Sequence, residues 1–193
     1  MKISNDKVSF IKSQFPGLEL EFQIRTNFGS QKDQYREKIR YFMAHEYLAH
    51  FTPEQLKKTL DLGHRPQASV GFFSISHCKE MGGFSYSNQP HGFDMEQTQR
   101  ITPPIITRVS TLAEQKQVSQ SENLWVAKEA AFKALANDRT DFVMTDLICE
   151  NWKSHTETGV SSFRITSEKT LATALNSGFV FSEEDILLAI YFK

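Results

Sequence analysis

Several common explanations find little support in this sequence. Only two cysteines, Cys78 and Cys149, occur in 193 residues. That is a weak basis for a disulfide framework, and reduced thiols in a cytosolic chain are the simpler expectation. No stretch approaches the roughly 18 apolar residues of a membrane span, and the opening MKISNDKVSF has no long apolar run. A soluble, cytoplasmic protein with no membrane partner is therefore expected. The formal net charge is −1. No global field attracts nucleic acid, although a local phosphate pocket needs only a few positive groups. A glycine-rich phosphate loop is missing, as is a basic stripe. His77 and Cys78 lack two further ligands at zinc spacing. Ser76-His77-Cys78 does not align a nucleophile with a base and an orienting acid.

What is present is ordinary in composition and patterned in detail. Hydrophobic residues make up 39% and charged residues 23%, enough for one ample core or two small lobes sharing one. Leu18, Leu20 and Phe22 alternate with Glu19, Glu21 and Gln23 after a Phe15-Pro16-Gly17 turn, which predicts a strand with one covered face. After a break at Asn27–Ser30, residues 33–49 read as a helix. Thr52-Pro53-Glu54-Gln55 is a helix start, with Thr52 as cap and Gln55 in the capping-box position, and Gly63 is its stop. Strands are expected at 70–75, 82–86 and 91–95, joined as a meander. Pro103-Pro104 breaks the chain, and a helix is expected within 105–118. The clearest helix is 119–136, with Ser119 as cap, an apolar stripe of Leu124, Ala127, Ala131 and Leu135, and Asn137-Asp138 at its end. Strands near 146–151, 160–166, 171–176 and 186–192 follow. Two helix-plus-strand lobes divide near 95–105.

Three patterns carry chemistry. On a strand, Asp94 and Glu96 of Gly92-Phe93-Asp94-Met95-Glu96 point to one side while Phe93 and Met95 anchor the other. Such close carboxylates favour a cation, and oxygen ligands suit Mg²⁺. Gly92 leaves room for a ligand. In Trp125-Val126-Ala127-Lys128-Glu129-Ala130-Ala131-Phe132-Lys133, Glu129 and Lys133 share a helical face. Glu129 can join the acidic pair, Lys133 can face phosphate, and Lys128 approaches from the flank. His77, at a strand end beside Ser76, can donate to phosphate. Each pattern alone also fits a plainer account: a solvated acidic strand, a surface salt bridge, a histidine closing a strand through its backbone.

Taken in order, Gly63-His64-Arg65-Pro66, Phe73-Ser74-Ile75-Ser76-His77-Cys78, Gly92-Phe93-Asp94-Met95-Glu96 and Trp125–Lys133 together resemble the 4′-phosphopantetheinyl transferase superfamily. The resemblance covers residues 63–136 and is loose outside them. The internal position of Asp94 matches the larger monomeric, surfactin-synthetase-activating type. This resemblance implies an α+β fold of two similar lobes related by pseudo-twofold symmetry. Each lobe would set a long helix on a small, mostly antiparallel sheet, with residues 1–100 in one, 101–193 in the other and the active site in the cleft between them. It implies Mg²⁺, with Mn²⁺ as a substitute, held by Asp94, Glu96 and Glu129. It also implies coenzyme A contacted by Arg65, Pro66, Ser76, His77, Lys128 and Lys133. Two departures stand out. No basic pair precedes the first long helix, leaving Arg25, Lys32, Arg36 or Arg40 as candidates for the 3′-phosphate, and Cys78 stands where serine is commoner.

The implied reaction moves 4′-phosphopantetheine from coenzyme A to a serine of an apo acyl or peptidyl carrier protein, releasing adenosine 3′,5′-bisphosphate. Carriers of fatty acid, polyketide, peptide or lysine biosynthesis all fit. Glu129 is the first choice of general base, with Asp94 or a bound water as alternatives. Residues 101–118, with Ile105, Ile106, Arg108, Val109, Leu112 and Lys116, are the first candidate for the carrier surface. The competing reading is a catalytically weak member that binds coenzyme A or a carrier without transfer.

Overall fold

A computed structural model describes residues 1–26, 32–62, 65–79, 81–136, 143–167 and 175–193. The expected break at 27–30, the Gly63 stop with His64, the Asn137-Asp138 helix end and most of the expected 171–176 strand lie outside these residues. So does the side chain of Lys32. The fold is α+β, with two antiparallel sheets and several helices. No helix among the described residues is long and apolar enough to cross a membrane.

The first sheet has the order β1-β3-β2, from β1 (Leu20–Arg25), β2 (Phe72–Cys78) and β3 (Met81–Ser87). Helix α2 (Lys32–Glu46) lies on it and buries Tyr35, Ile39 and Met43 against Phe73, Phe84 and Tyr86. Helix α3 (Pro53–Leu60) follows. Its start is as the sequence predicts: the Thr52 side chain accepts from the Gln55 amide, and the Gln55 side chain accepts from the Thr52 amide.

β4 (His91–Gln97) does not complete a meander. It leaves the first sheet and pairs with β8 (Ile186–Phe192), at one side of a sheet ordered β4-β8-β7-β6-β5. β5 is Ile148–His155, β6 Val160–Thr166 and β7 Ser177–Glu183. The seventh strand thus runs later than the expected 171–176. The chain crosses between sheets just before His91, ahead of the expected division near 95–105, because Phe93 and Met95 belong to the second sheet's core. Residues paired across an antiparallel ladder share a face. Asp94 faces Ala189 and Glu96 faces Leu187, while Phe93 and Met95 face Ile190 and Leu188. A one-residue slip would drive both carboxylates into the apolar face, so burying Phe93 and Met95 fixes the register.

The two faces of this sheet have different covers. Helix α1 (Asn5–Ser13), which the sequence reading did not anticipate, covers the Phe93 face together with Leu18 and Leu20. Helix α6 (Glu122–Leu135) covers the other, through Leu124, Ala127, Ala130, Ala131 and Ala134 against Leu187, Ala189 and Tyr191. Its cap position is Ser121 rather than Ser119, without a side-chain cap bond. Short helices α4 (Pro103–Val109) and α5 (Leu112–Gln115) replace the single helix expected within 105–118. Between them they bury Ile106 and Val109 and leave Leu112 74% exposed.

Gly92 has a role other than the expected one. A Cβ there would stand 2.0 Å from the Ala130 carbonyl oxygen and 2.6 Å from the Ala134 nitrogen. What approaches this glycine is the backbone of α6, not a ligand. Close contact here brings Glu129 and Lys133 down beside Asp94 and Glu96.

Candidate active site

The ends of β2 and β4, the face of α6 and the segment after α3 surround a cleft of about 1470 Å³. Among its lining residues are Arg65, Pro66, Ser76, His77, Asp94, Glu96, Glu129 and Lys133. These include every residue named above for the metal and the diphosphate end of coenzyme A except Lys128. Each reaches the cleft for a local reason. Asp94 and Glu96 share the α6 face of β4. Glu129 and Lys133 are one helical turn apart. Ser76 alternates out of the Ile75 and His77 positions on β2.

The acidic end is dense. Asp94 Oδ1 accepts from Lys133 Nζ at 2.7 Å and from Ser76 Oγ at 2.7 Å. Glu96 Oε1 accepts from Arg100 Nη1 at 3.0 Å and from the Gln97 amide at 2.9 Å. Burial holds the carboxyl of Glu129 above its ordinary range, and the charges of Asp94 and Glu96 push it further up, against the pull of Lys133. Burial likewise raises Glu96, with a contribution from Asp94. Glu129 therefore feels both strand carboxylates across the cleft. Among the described residues, no group of three His, Cys, Asp or Glu side chains is already arranged to hold a metal ion. The donor chemistry nonetheless suits one: Asp94, Glu96 and Glu129 line one cleft with oxygen ligands, and burial raises the pKa of Glu96 and Glu129.

The other walls are cationic. Arg36, Arg40 and Arg65 line the cleft with His77. Arg65 Nη1 donates to the Lys133 carbonyl at 2.8 Å, near the C-terminal end of α6. Arg40 Nη1 is committed to Thr59 O and Asp61 O, both at 2.6 Å. Arg25 instead lies over the Phe42 ring, 3.5 Å from its centroid, with Glu46 3.6 Å away. The His77 ring stacks on Tyr35 of α2, with centroids 5.4 Å apart. Tyr35 is a supporting residue that the sequence reading missed. Its only signal was a place on the buried face of α2.

Lys128 is not at this site. Its side chain is 1% exposed, and its ammonium lies 2.7 Å from Glu114 Oε1 and 2.6 Å from the Val109 carbonyl. Successive helical residues do not share a face, so Lys128 points away from Glu129. Burial works to raise Glu114. Hydrogen bonds from Lys128, Thr111 and the Cys149 amide outweigh it and hold the carboxyl below its usual value. This pair ties α5, α6 and β5 together.

Ser74 Oγ accepts from the Phe93 amide at 2.8 Å, and Ser76 Oγ from the Met95 amide at 3.1 Å. β2 and β4, from different sheets, are thus stitched by hydroxyls where no ladder joins them. Trp125 lines the cleft and also packs against the second sheet's core. Compared with known proteins, the chain matches no family model and no curated sequence.

Proposed function

We propose that this protein transfers 4′-phosphopantetheine from coenzyme A to a serine hydroxyl of an apo carrier protein, as the phosphopantetheinyl transferases it resembles do. The observation that carries the reading is the convergence of Asp94 and Glu96 from β4 with Glu129 and Lys133 from α6 on one cleft, opposite His77, Arg36 and Arg65. A long helix on each of two antiparallel sheets is compatible with the α+β architecture of that superfamily.

Asp94, Glu96 and Glu129 would hold Mg²⁺, or Mn²⁺ in its place. When bound, the ion neutralises charge on the transferred phosphoryl group and its leaving oxygen. The protein's own groups do the rest by positioning and charge. Lys133 and His77 bind diphosphate oxygens, with the Ser76 hydroxyl beside them. Glu129, whose raised proton affinity suits a base, takes the proton of the carrier serine; Asp94 or a water is the alternative. The serine oxygen then bonds to the β-phosphorus, the bond to the bridging oxygen breaks, and adenosine 3′,5′-bisphosphate departs. Of the three basic candidates for the 3′-phosphate whose side chains are described, Arg36 fits best, since it is exposed in the cleft while Arg25 and Arg40 are engaged elsewhere. Exposed Leu112, with Arg108 and Lys116 near it in sequence, suits an acidic carrier with an apolar contact.

Mass spectrometry of an apo carrier after incubation with coenzyme A and Mg²⁺ tests this directly. The wild type adds the phosphopantetheine mass, while Asp94→Ala and Glu129→Ala lose transfer by a factor of about 10³ or more and stay folded. Full modification by either variant would remove that residue from the machinery. The second reading, binding without transfer, draws on the existing engagement of Asp94 by Lys133 and of Glu96 by Arg100. Coenzyme A binding by calorimetry, with no carrier in a panel modified, selects it.

A further inference from the structure

Lys133 sits in a cage that its expected role does not require. Its ammonium has four oxygens around it: Asp94 Oδ1 at 2.7 Å, Phe93 O at 3.0 Å, Ser76 Oγ at 3.2 Å and Ile75 O at 3.3 Å. An ammonium has three protons, so every donor position is used. Two of these oxygens come from β2 and two from β4. The group therefore holds the seam between the sheets and neutralises the carboxylate that a divalent ion would need. The neighbouring Ser76 hydroxyl takes the same Asp94 oxygen. Lys133 is nonetheless 29% exposed along its side chain, on a cleft wall, so it can leave without opening the core.

We propose that Lys133 is the resident cation of the acidic end, and that a divalent ion and the donor's phosphates bind in a linked manner by exchanging it. The inference rests on the reading of this cleft as a metal-dependent phosphate site. An ion arriving alone must displace an ammonium that then has no anionic partner. Phosphate arriving alone draws the ammonium off Asp94 and leaves Asp94 and Glu129 without the cation that offsets their charge. Each ligand removes the cost the other meets, so each raises the other's affinity by the same factor. Lys133 is in this respect a positioning residue, and its exchange gates the loading of the site.

Mn²⁺ in phosphate-free buffer is the probe, with free ion read by electron paramagnetic resonance. Lys133→Met is expected to bind Mn²⁺ about tenfold more tightly than the wild type, because the competitor is gone. Arg65→Gln removes another cleft cation that contacts the Lys133 carbonyl. It is expected to change binding by about twofold or less, the general effect of one charge in a screened cleft. Equal tightening by both variants overturns the exchange, as does Mn²⁺ binding by neither the wild type nor Lys133→Met. A second measurement needs no variant. Reductive methylation of Lys133 in the wild type, followed by mass spectrometry, is expected to accelerate several-fold when Mn²⁺ is added. An unchanged or slower rate overturns the proposal. Neither readout involves a carrier protein. A protein that exchanges cations but modifies no carrier keeps this inference and loses the transferase reading, and the reverse result does the opposite.

Discussion

His91 is buried with both ring nitrogens engaged, Nδ1 3.0 Å from the Gln89 carbonyl and Nε2 2.7 Å from Ser85 Oγ. A carbonyl only accepts, so Nδ1 carries the proton; burial favours the neutral ring, in which Nε2 accepts from the hydroxyl. Burial holds its pKa down to about 4, against an ordinary 6.5. A depressed histidine means that the unfolded chain takes up the proton first as pH falls. Its contribution to stability is complete above pH 6.5 and is lost progressively towards 4, by at most about 3 kcal/mol. Urea unfolding at stepped pH should show that slope in the wild type and a flatter one in His91→Gln. Single residues were legible where a period fixed their direction, as for Asp94 and Glu96. Helical spacing already turned Lys128 away from Glu129, but its partner, Glu114, lies in a segment that no spacing rule connects to it. Cysteine chemistry is muted: Cys78 and Cys149 are both buried, and burial pushes the Cys78 thiol up to about 12.

At the scale of elements, the decisive contact is α6 on β4. Gly92→Ala puts a methyl against helix backbone, which cannot move aside as a side-chain tip can. A loss of about 3 kcal/mol or more in chemical denaturation is expected, with the proposed transfer falling even in the folded fraction as α6 lifts from the acidic strand. Retained stability would mean that the helix sits further off than described. Elements with strong local chemistry were readable, above all the capping box of α3 and the alternation of β1. β7 was not. Gly178 lies inside it because the Phe163 ring occupies the space of a side chain, 2.1 Å from where a Cβ would be, so its local pattern is weak. α1 was missed for a similar reason. It buries only Ile11 fully and is held by distant partners, Lys7 with Glu183 and the Ser4 amide with Glu183 Oε1.

The whole molecule is interlocked across its sequence. β4 and α1 come from the N-terminal half, yet they cover one edge and one face of the sheet formed by the C-terminal half. Unfolding should therefore be a single transition, with circular dichroism and tryptophan fluorescence coincident, and an isolated 101–193 fragment should not fold. Two separated transitions would show that the halves stand independently. The sequence did show an α+β chain with helices and strands in both halves, since periodicity reports faces. It could not show which sheet claimed β4, because pairing is decided by long-range burial. The hydroxyl stitching of β2 to β4 has one more outcome. Each of these strands ends its own sheet, and an outermost strand ordinarily offers its amides and carbonyls to any passing chain. Here the two outer strands turn towards each other, and Ser74, Ser76 and Lys133 occupy those groups. These two edges are thereby closed to strand addition beside the candidate site.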